Sequence, residues 1–98
     1  MSRGLIVRPE AEAEIAEAFD WYEEQVPGLG SDFVLCLDAI FSAILRSPAH
    51  YSRVHKSVRR ALTRRFPYEV FFVEEGERIV VLSVFHARRN PKRWQDRI

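Results

Sequence analysis

The residues with chemical reach crowd into the last third of the chain. Arg59, Arg60, Arg64 and Arg65 lie in and just after one strand-like segment, and His86 is followed closely by Arg88 and Arg89. Guanidinium groups make bidentate contacts with phosphate, and an imidazole titrates near neutral pH. Metal-free cleavage of RNA needs a base for the 2′-hydroxyl, an acid for the leaving oxygen, and cations for the developing charge. His86 with Arg59, Arg60, Arg64, Arg65, Arg88 and Arg89 meets part of that requirement. Each residue also has a plainer role. A histidine at a strand end often covers a core edge, and arginines on a strand keep its outer face solvated.

Charge is divided along the chain in the same sense. Residues 1–47 carry three Lys and Arg against nine Asp and Glu, a net −6, whereas residues 48–98 carry twelve against five, a net +7. The overall charge of +1 conceals this split. A basic half of this kind fits an anionic target, and an acidic half leaves room for a separate partner.

Other chemistries find little support. His50, His55 and His86 are the only histidines, none of them spaced i, i+4, and Cys36 is the only cysteine. Zinc-ligand spacing is therefore missing, and four glycines form no phosphate-cradling loop. No metal and no cofactor are expected. A lone thiol suits a reducing cytoplasm, and no long apolar region follows Met1-Ser2-Arg3-Gly4, so no signal peptide is expected. Ile79–Phe85 is the longest apolar stretch and is too short to span a bilayer.

The elements that must position these residues follow from periodicity. Ninety-eight residues make one domain with one modest core. Leu5-Ile6-Val7 reads as a strand and Pro9 opens a helix. Ala11, Ile15, Ala18, Phe19 and Tyr22 line its apolar side, with the glutamates largely elsewhere. Val26–Gly30 makes a turn, and Ser31 or Asp32 is the expected cap of a second helix. Phe33, Leu37, Ile40, Phe41 and Ile44 form its stripe up to Ser47-Pro48. Two helices so briefly linked predict an antiparallel hairpin.

Residues 49–57 show no period and read as loop. Val58–Thr63 and Tyr68–Val73 read as strands broken by Phe66-Pro67, and Glu75-Gly76-Glu77 as a hairpin turn. Ile79–Phe85 is apolar at both parities, which predicts a strand buried on both faces in mid-sheet. The predicted class is α+β, in the order βααβββ: an antiparallel sheet, with the first strand joining one side, under a helical hairpin. The phenylalanines on element faces are assigned to the core. Cys36 reads as an inert buried thiol and Tyr22 as core. Trp21 is left open between closing the hairpin and meeting a partner, and Trp94 is expected to fold back over the sheet.

The chain resembles the RelE/ParE superfamily of toxins from bacterial type II toxin–antitoxin pairs over about residues 5–95. The resemblance is carried by Ala11-Glu12-Ala13-Glu14-Ile15 with Trp21-Tyr22, the Pro48 break, Phe66–Phe72, and Val81–Pro91 with its His86-x-x-Arg89 ending. It implies the βααβββ toxin fold and neutralisation by a cognate antitoxin, with Trp21 a contact beside the helix hairpin. RelE-like members cut messenger RNA on the ribosome, and ParE-like members, including plasmid-stabilisation proteins, poison DNA gyrase. Tyr68 fills the usual arginine position of the nucleases, no tyrosine follows it, and the Trp-Tyr pair is ParE-like. The resemblance thus implies a cytoplasmic, non-enzymatic gyrase poison that engages its target through Arg59, Arg60, Arg65, Arg88 and Arg89. The alternative it implies is a ribosome-dependent endoribonuclease using His86, Arg65, Arg88 and Arg89. A toxin reduced to binding its antitoxin is the third possibility.

Overall fold

A computed structural model describes residues 4–87. Arg88, Arg89 and Trp94, and with them the expected return of Trp94 over the sheet, lie outside the described residues. The element order is β1 (Gly4–Val7), α1 (Pro9–Gln25), α2 (Leu29–Arg46), a 3₁₀ turn (Pro48–His50), β2 (Arg53–His55), β3 (Val58–Leu62), β4 (Tyr68–Glu75) and β5 (Arg78–His86). Five strands form one sheet in the order β1-β5-β4-β3-β2.

β1 runs parallel to β5, while the other neighbours are antiparallel, so the sheet is mixed rather than antiparallel. The first and last strands of the chain are thereby neighbours, a pairing no local pattern encodes. Residues 49–57 also hold more than a loop. Arg53–His55 pairs with β3 through an irregular register, and Lys56 at φ 52° turns the chain between them. A three-residue strand is too short to show alternation. As expected, β5 lies inside the sheet and is buried on both faces.

Both helices cover one face. Ala11, Ala18 and Tyr22 from α1 and Phe33, Leu37 and Ile44 from α2 pack with Ala61, Tyr68, Val70, Phe72, Ile79, Val81 and Val84 from the strands. Val58, Phe71 and Phe85 form a second cluster with Val54, Val73 and Leu82. Strand alternation places this cluster on the other side of the sheet. Phe19 and Phe41 are only partly buried, as is Cys36, which borders the main core. Phe66 is buried despite sitting outside any periodic segment.

The hairpin is closed by an unanticipated acceptor. α2 begins at Leu29 behind Gly28, whose φ of 91° suits glycine, and neither Ser31 nor Asp32 caps it. Instead the Glu23 carboxylate, near the end of α1, accepts from the backbone N–H groups of Gly28 (3.1 Å), Gly30 (2.8 Å) and Ser31 (3.3 Å). One helix thus satisfies orphan donors of the next and places negative charge at its positive end. The bond from Gly28, with those from Ser31 and Gly30, holds the Glu23 carboxyl below its ordinary value of 4.5 against a smaller opposing effect of burial.

This contact demands close approach at Gly30. A Cβ there would stand 2.6 Å from the Phe19 carbonyl oxygen and 2.7 Å from Glu23 Cγ. Gly30→Ala is therefore expected to cost about 1–3 kcal/mol, the range for overpacking, read as a lower midpoint in urea unfolding. A wild-type midpoint would show that the helices separate freely. A depressed carboxyl pKa adds stability that is complete above the unfolded-state value and is lost as pH falls through the folded one. Glu23→Gln should consequently melt below the wild type at neutral pH, with the two melting temperatures converging as pH drops below 4.5. A gap independent of pH would remove the charge from this account.

Candidate functional site

The candidate working surface is the end of the sheet where β3 passes into β4 and β5 finishes. Arg60 and Tyr68 flank the β3–β4 turn, and the turn is tied across its neck. Thr63 N–H donates to the Tyr68 carbonyl at 3.1 Å, and Tyr68 N–H donates to the Phe66 carbonyl at 2.8 Å. The Thr63 hydroxyl also bonds the Phe66 carbonyl. Ala87 N–H donates to the Pro67 carbonyl at 2.7 Å, so the last described residues of β5 are fastened to the same turn.

Beneath the turn lies an aromatic cluster. Tyr22 meets Phe66 edge-on at 4.9 Å and Phe33 at 5.4 Å, and Phe33 lies 4.8 Å from Tyr68. Offset and edge-on arrangements like these are the favoured ones for aromatic rings. Trp21 stands edge-on to Tyr22 at 5.1 Å and keeps 48% of its surface exposed. His86 is partly buried and packs edge-on against Tyr68 at 5.3 Å, with the two residues paired in register. His86 is therefore part of the wall of this cluster. His50 meets Tyr51 edge-on at 5.4 Å, and His55 ends β2.

The arginines grouped by sequence are separated by the fold. Arg59 and Arg60 are adjacent on β3 and point to opposite faces. Arg59, with its side chain only 14% exposed, donates to the Tyr51 carbonyl at 2.5 Å and pairs with Glu74 at 3.4 Å. It ties β3 to the segment before β2 and to β4. Arg60, 43% exposed, pairs with Glu69 at 3.5 Å across the β3–β4 ladder. Arg65 leaves the turn to meet Asp32 of α2 at 3.3 Å, with its guanidinium 5.3 Å from the Phe66 ring centre. These exposed pairs are weak and exchangeable with other anions. Arg59 is drawn inward, so Arg60 and Arg65 are the better placed of the three to meet a target.

The expected site residues among the described part thus occur as His86 beside Tyr68, Arg60 on one sheet face, Arg65 over the turn, and Trp21 at the helix end. No cluster of three or more potential metal-ligating His, Cys, Asp or Glu residues occurs among the described residues. No helix among them is long and apolar enough to cross a membrane. Sequence reasoning missed the two working carboxylates, Glu23 and Glu14. It placed both among outward glutamates: the partners of Glu14 lie 69 and 70 positions away, and those of Glu23 are backbone groups across the interhelix turn, which no side-chain pattern marks.

Comparison with known proteins places this arrangement in a family. The chain is 30% identical over 92 residues to Toxin ParE2 of Mycobacterium tuberculosis, a match covering 93% of this chain and 88% of the relative. Its fold matches a chain of the chromosomal ParDE toxin–antitoxin system from P. aeruginosa with a TM-score of 0.78 and 16% identity, covering 89% of this chain and 98% of that one. It also matches a mutant of the E. coli toxin RelE in the free state, with a TM-score of 0.64 and 19% identity, covering 93% and 90%. Residues 5–91 match the family model for the ParE toxin of the type II toxin–antitoxin system parDE. The chain belongs to the ParE toxin family, within the RelE/ParE superfamily, and is the toxin component of a type II toxin–antitoxin pair.

Proposed function

We propose that this toxin arrests growth by binding DNA gyrase or its bound DNA in the cytoplasm, without catalysing a reaction. The observation that supports this reading is the dispersal of the described arginines Arg59, Arg60 and Arg65. A nuclease needs an acid, a base and positive charge converging on one phosphate. Here Arg59 serves the interior, Arg60 faces away from the helices, and Arg65 lies over the turn against Asp32. The ring of His86 is packed on Tyr68 as part of an aromatic wall. Such a rim suits a broad anionic surface better than one scissile bond. Arg60 and Arg65 then make the contacts, together with Arg88 and Arg89, and a cognate antitoxin neutralises the toxin.

The opposing reading is ribosome-dependent cleavage of messenger RNA by His86 with Arg65, Arg88 and Arg89. Purified chain added to a gyrase supercoiling assay should inhibit it, and primer extension on message from a cell-free translation reaction should find the message intact. Arg60→Ala and Arg65→Ala should each weaken inhibition, and His86→Ala should keep much of it. Codon-specific cuts that disappear in His86→Ala would overturn the proposal.

The antitoxin is proposed to lay an amphipathic segment beside the helix hairpin, using Trp21 as an anchor. Exposed tryptophans of this kind often dominate an interface once buried, with losses of about 2 kcal/mol or more on truncation. Trp21→Ala should therefore weaken antitoxin binding roughly thirtyfold in titration calorimetry. Unchanged affinity would place the antitoxin elsewhere.

A further inference from the structure

β5 outlasts one of its neighbours. β1 pairs with it only from Gly4↔Arg78 to Val7↔Val81, after which Arg8 N–H donates to the Val81 carbonyl and the chain turns into α1. From Leu82 onward the β1 side of β5 has no strand beside it among the described residues. A backbone N–H facing that side must find another acceptor or remain unsatisfied at a buried position. Val84 is such a residue, and its N–H donates to Glu14 Oε1 of α1 at 3.0 Å. The same oxygen accepts from the Ser83 hydroxyl at 3.1 Å, and Ser83 is 2% exposed. The side chain of Glu14 thus stands where β1 would have continued.

The same stretch carries a bulge. The β4–β5 register runs Phe72↔Val81 and then Phe71↔Ser83, leaving Leu82 as the extra residue. Before it, the odd-numbered Ile79 and Val81 face the helices; beyond it, the even-numbered Val84 does, while Phe85 packs in the opposite cluster. One inserted residue reverses the facing of everything that follows. Without it His86 would point away from the helices. With it, His86 is paired with Tyr68 and touches its ring.

We propose that Glu14 is a positioning residue: by holding Ser83 and Val84 at the bulge it fixes the shifted register and so places His86 on the helix side of the sheet, against Tyr68. The inference rests on the reading of this sheet end as the working surface, but the geometry it asserts can be tested apart from toxicity. Glutamine keeps an oxygen that accepts from both donors, whereas alanine leaves Val84 N–H without this acceptor.

The experiment is NMR on the full chain and its Glu14→Gln and Glu14→Ala variants, with growth arrest measured in parallel. Glu14→Gln should keep the cross-relaxation between the His86 and Tyr68 rings and the slow exchange of the Val84 amide. Glu14→Ala should lose the ring contact and speed Val84 exchange by about tenfold or more, as loss of one hydrogen bond does. If Glu14→Ala does not fold, Glu14→Asp, shorter by one methylene, should weaken the ring contact and speed the same amide. A folded Glu14→Ala, or in its absence Glu14→Asp, with wild-type ring contact and Val84 exchange would overturn the proposal. Loss of contact with undiminished arrest would instead sink the reading of His86's surroundings as the working surface, leaving the role of Glu14 intact.

Discussion

The rest of this structure depends on burying β5 while keeping its backbone satisfied. An apolar nine-residue strand in mid-sheet needs a neighbour on each side and cover on each face. β4 supplies one side along the full length. β1 supplies only the first part of the other, because Pro9 diverts the chain into α1 after Val7-Arg8. Among the described residues the sheet therefore has a strand-shaped deficit beside Leu82–His86, and α1, which packs over β5, lies within reach. A glutamate replaces the missing strand at the atom where it matters, Val84 N–H. That solution explains a carboxylate on the inner side of a helix that otherwise reserves this side for alanine, isoleucine and tyrosine.

A second carboxylate works by the same logic at the other end of α1. Glu23 satisfies the first N–H groups of α2, which Gly28 in its left-handed conformation leaves without a side-chain cap. Glu14 binds α1 to the sheet and Glu23 binds α1 to α2, so the acidic half of the chain is in part structural. The basic half is divided likewise. Arg59 is used inside, and Arg60 and Arg65 are held at the surface by single carboxylates from a neighbouring strand and from α2. Net charge along the sequence overstated how much of each sign faces a partner.

The class of fold, both helices, four of the five strands and the central place of β5 were legible because each leaves a local trace in the sequence. The stripe Phe33-Leu37-Ile44 and the two-sided apolarity of Ile79–Phe85 are such traces. The parallel pairing of β1 with β5 left none, since it joins residues more than seventy positions apart. β2 was too short to alternate. Phe66 was read as a break because of Pro67, yet its ring closes the cluster of Tyr22 and Phe33. His86 was legible as a strand end, but its facing was not, because that depends on one unpaired residue, Leu82. Two-sided apolarity hides such a bulge, as either register buries apolar side chains.

That ambiguity bears on function. The fold is shared with a ParDE toxin and with RelE, so the backbone alone does not select a chemistry. On the function proposed above, selection falls to a few side chains at the sheet end and to how they are aimed. A strand whose facing switches on one residue presents its terminal histidine to one side or the other according to that residue. In this chain a polar contact, Glu14 with Ser83 and Val84, accompanies the register that an apolar face leaves undecided. Hydrophobic burial supplies the stability of β5, and a carboxylate supplies its specificity.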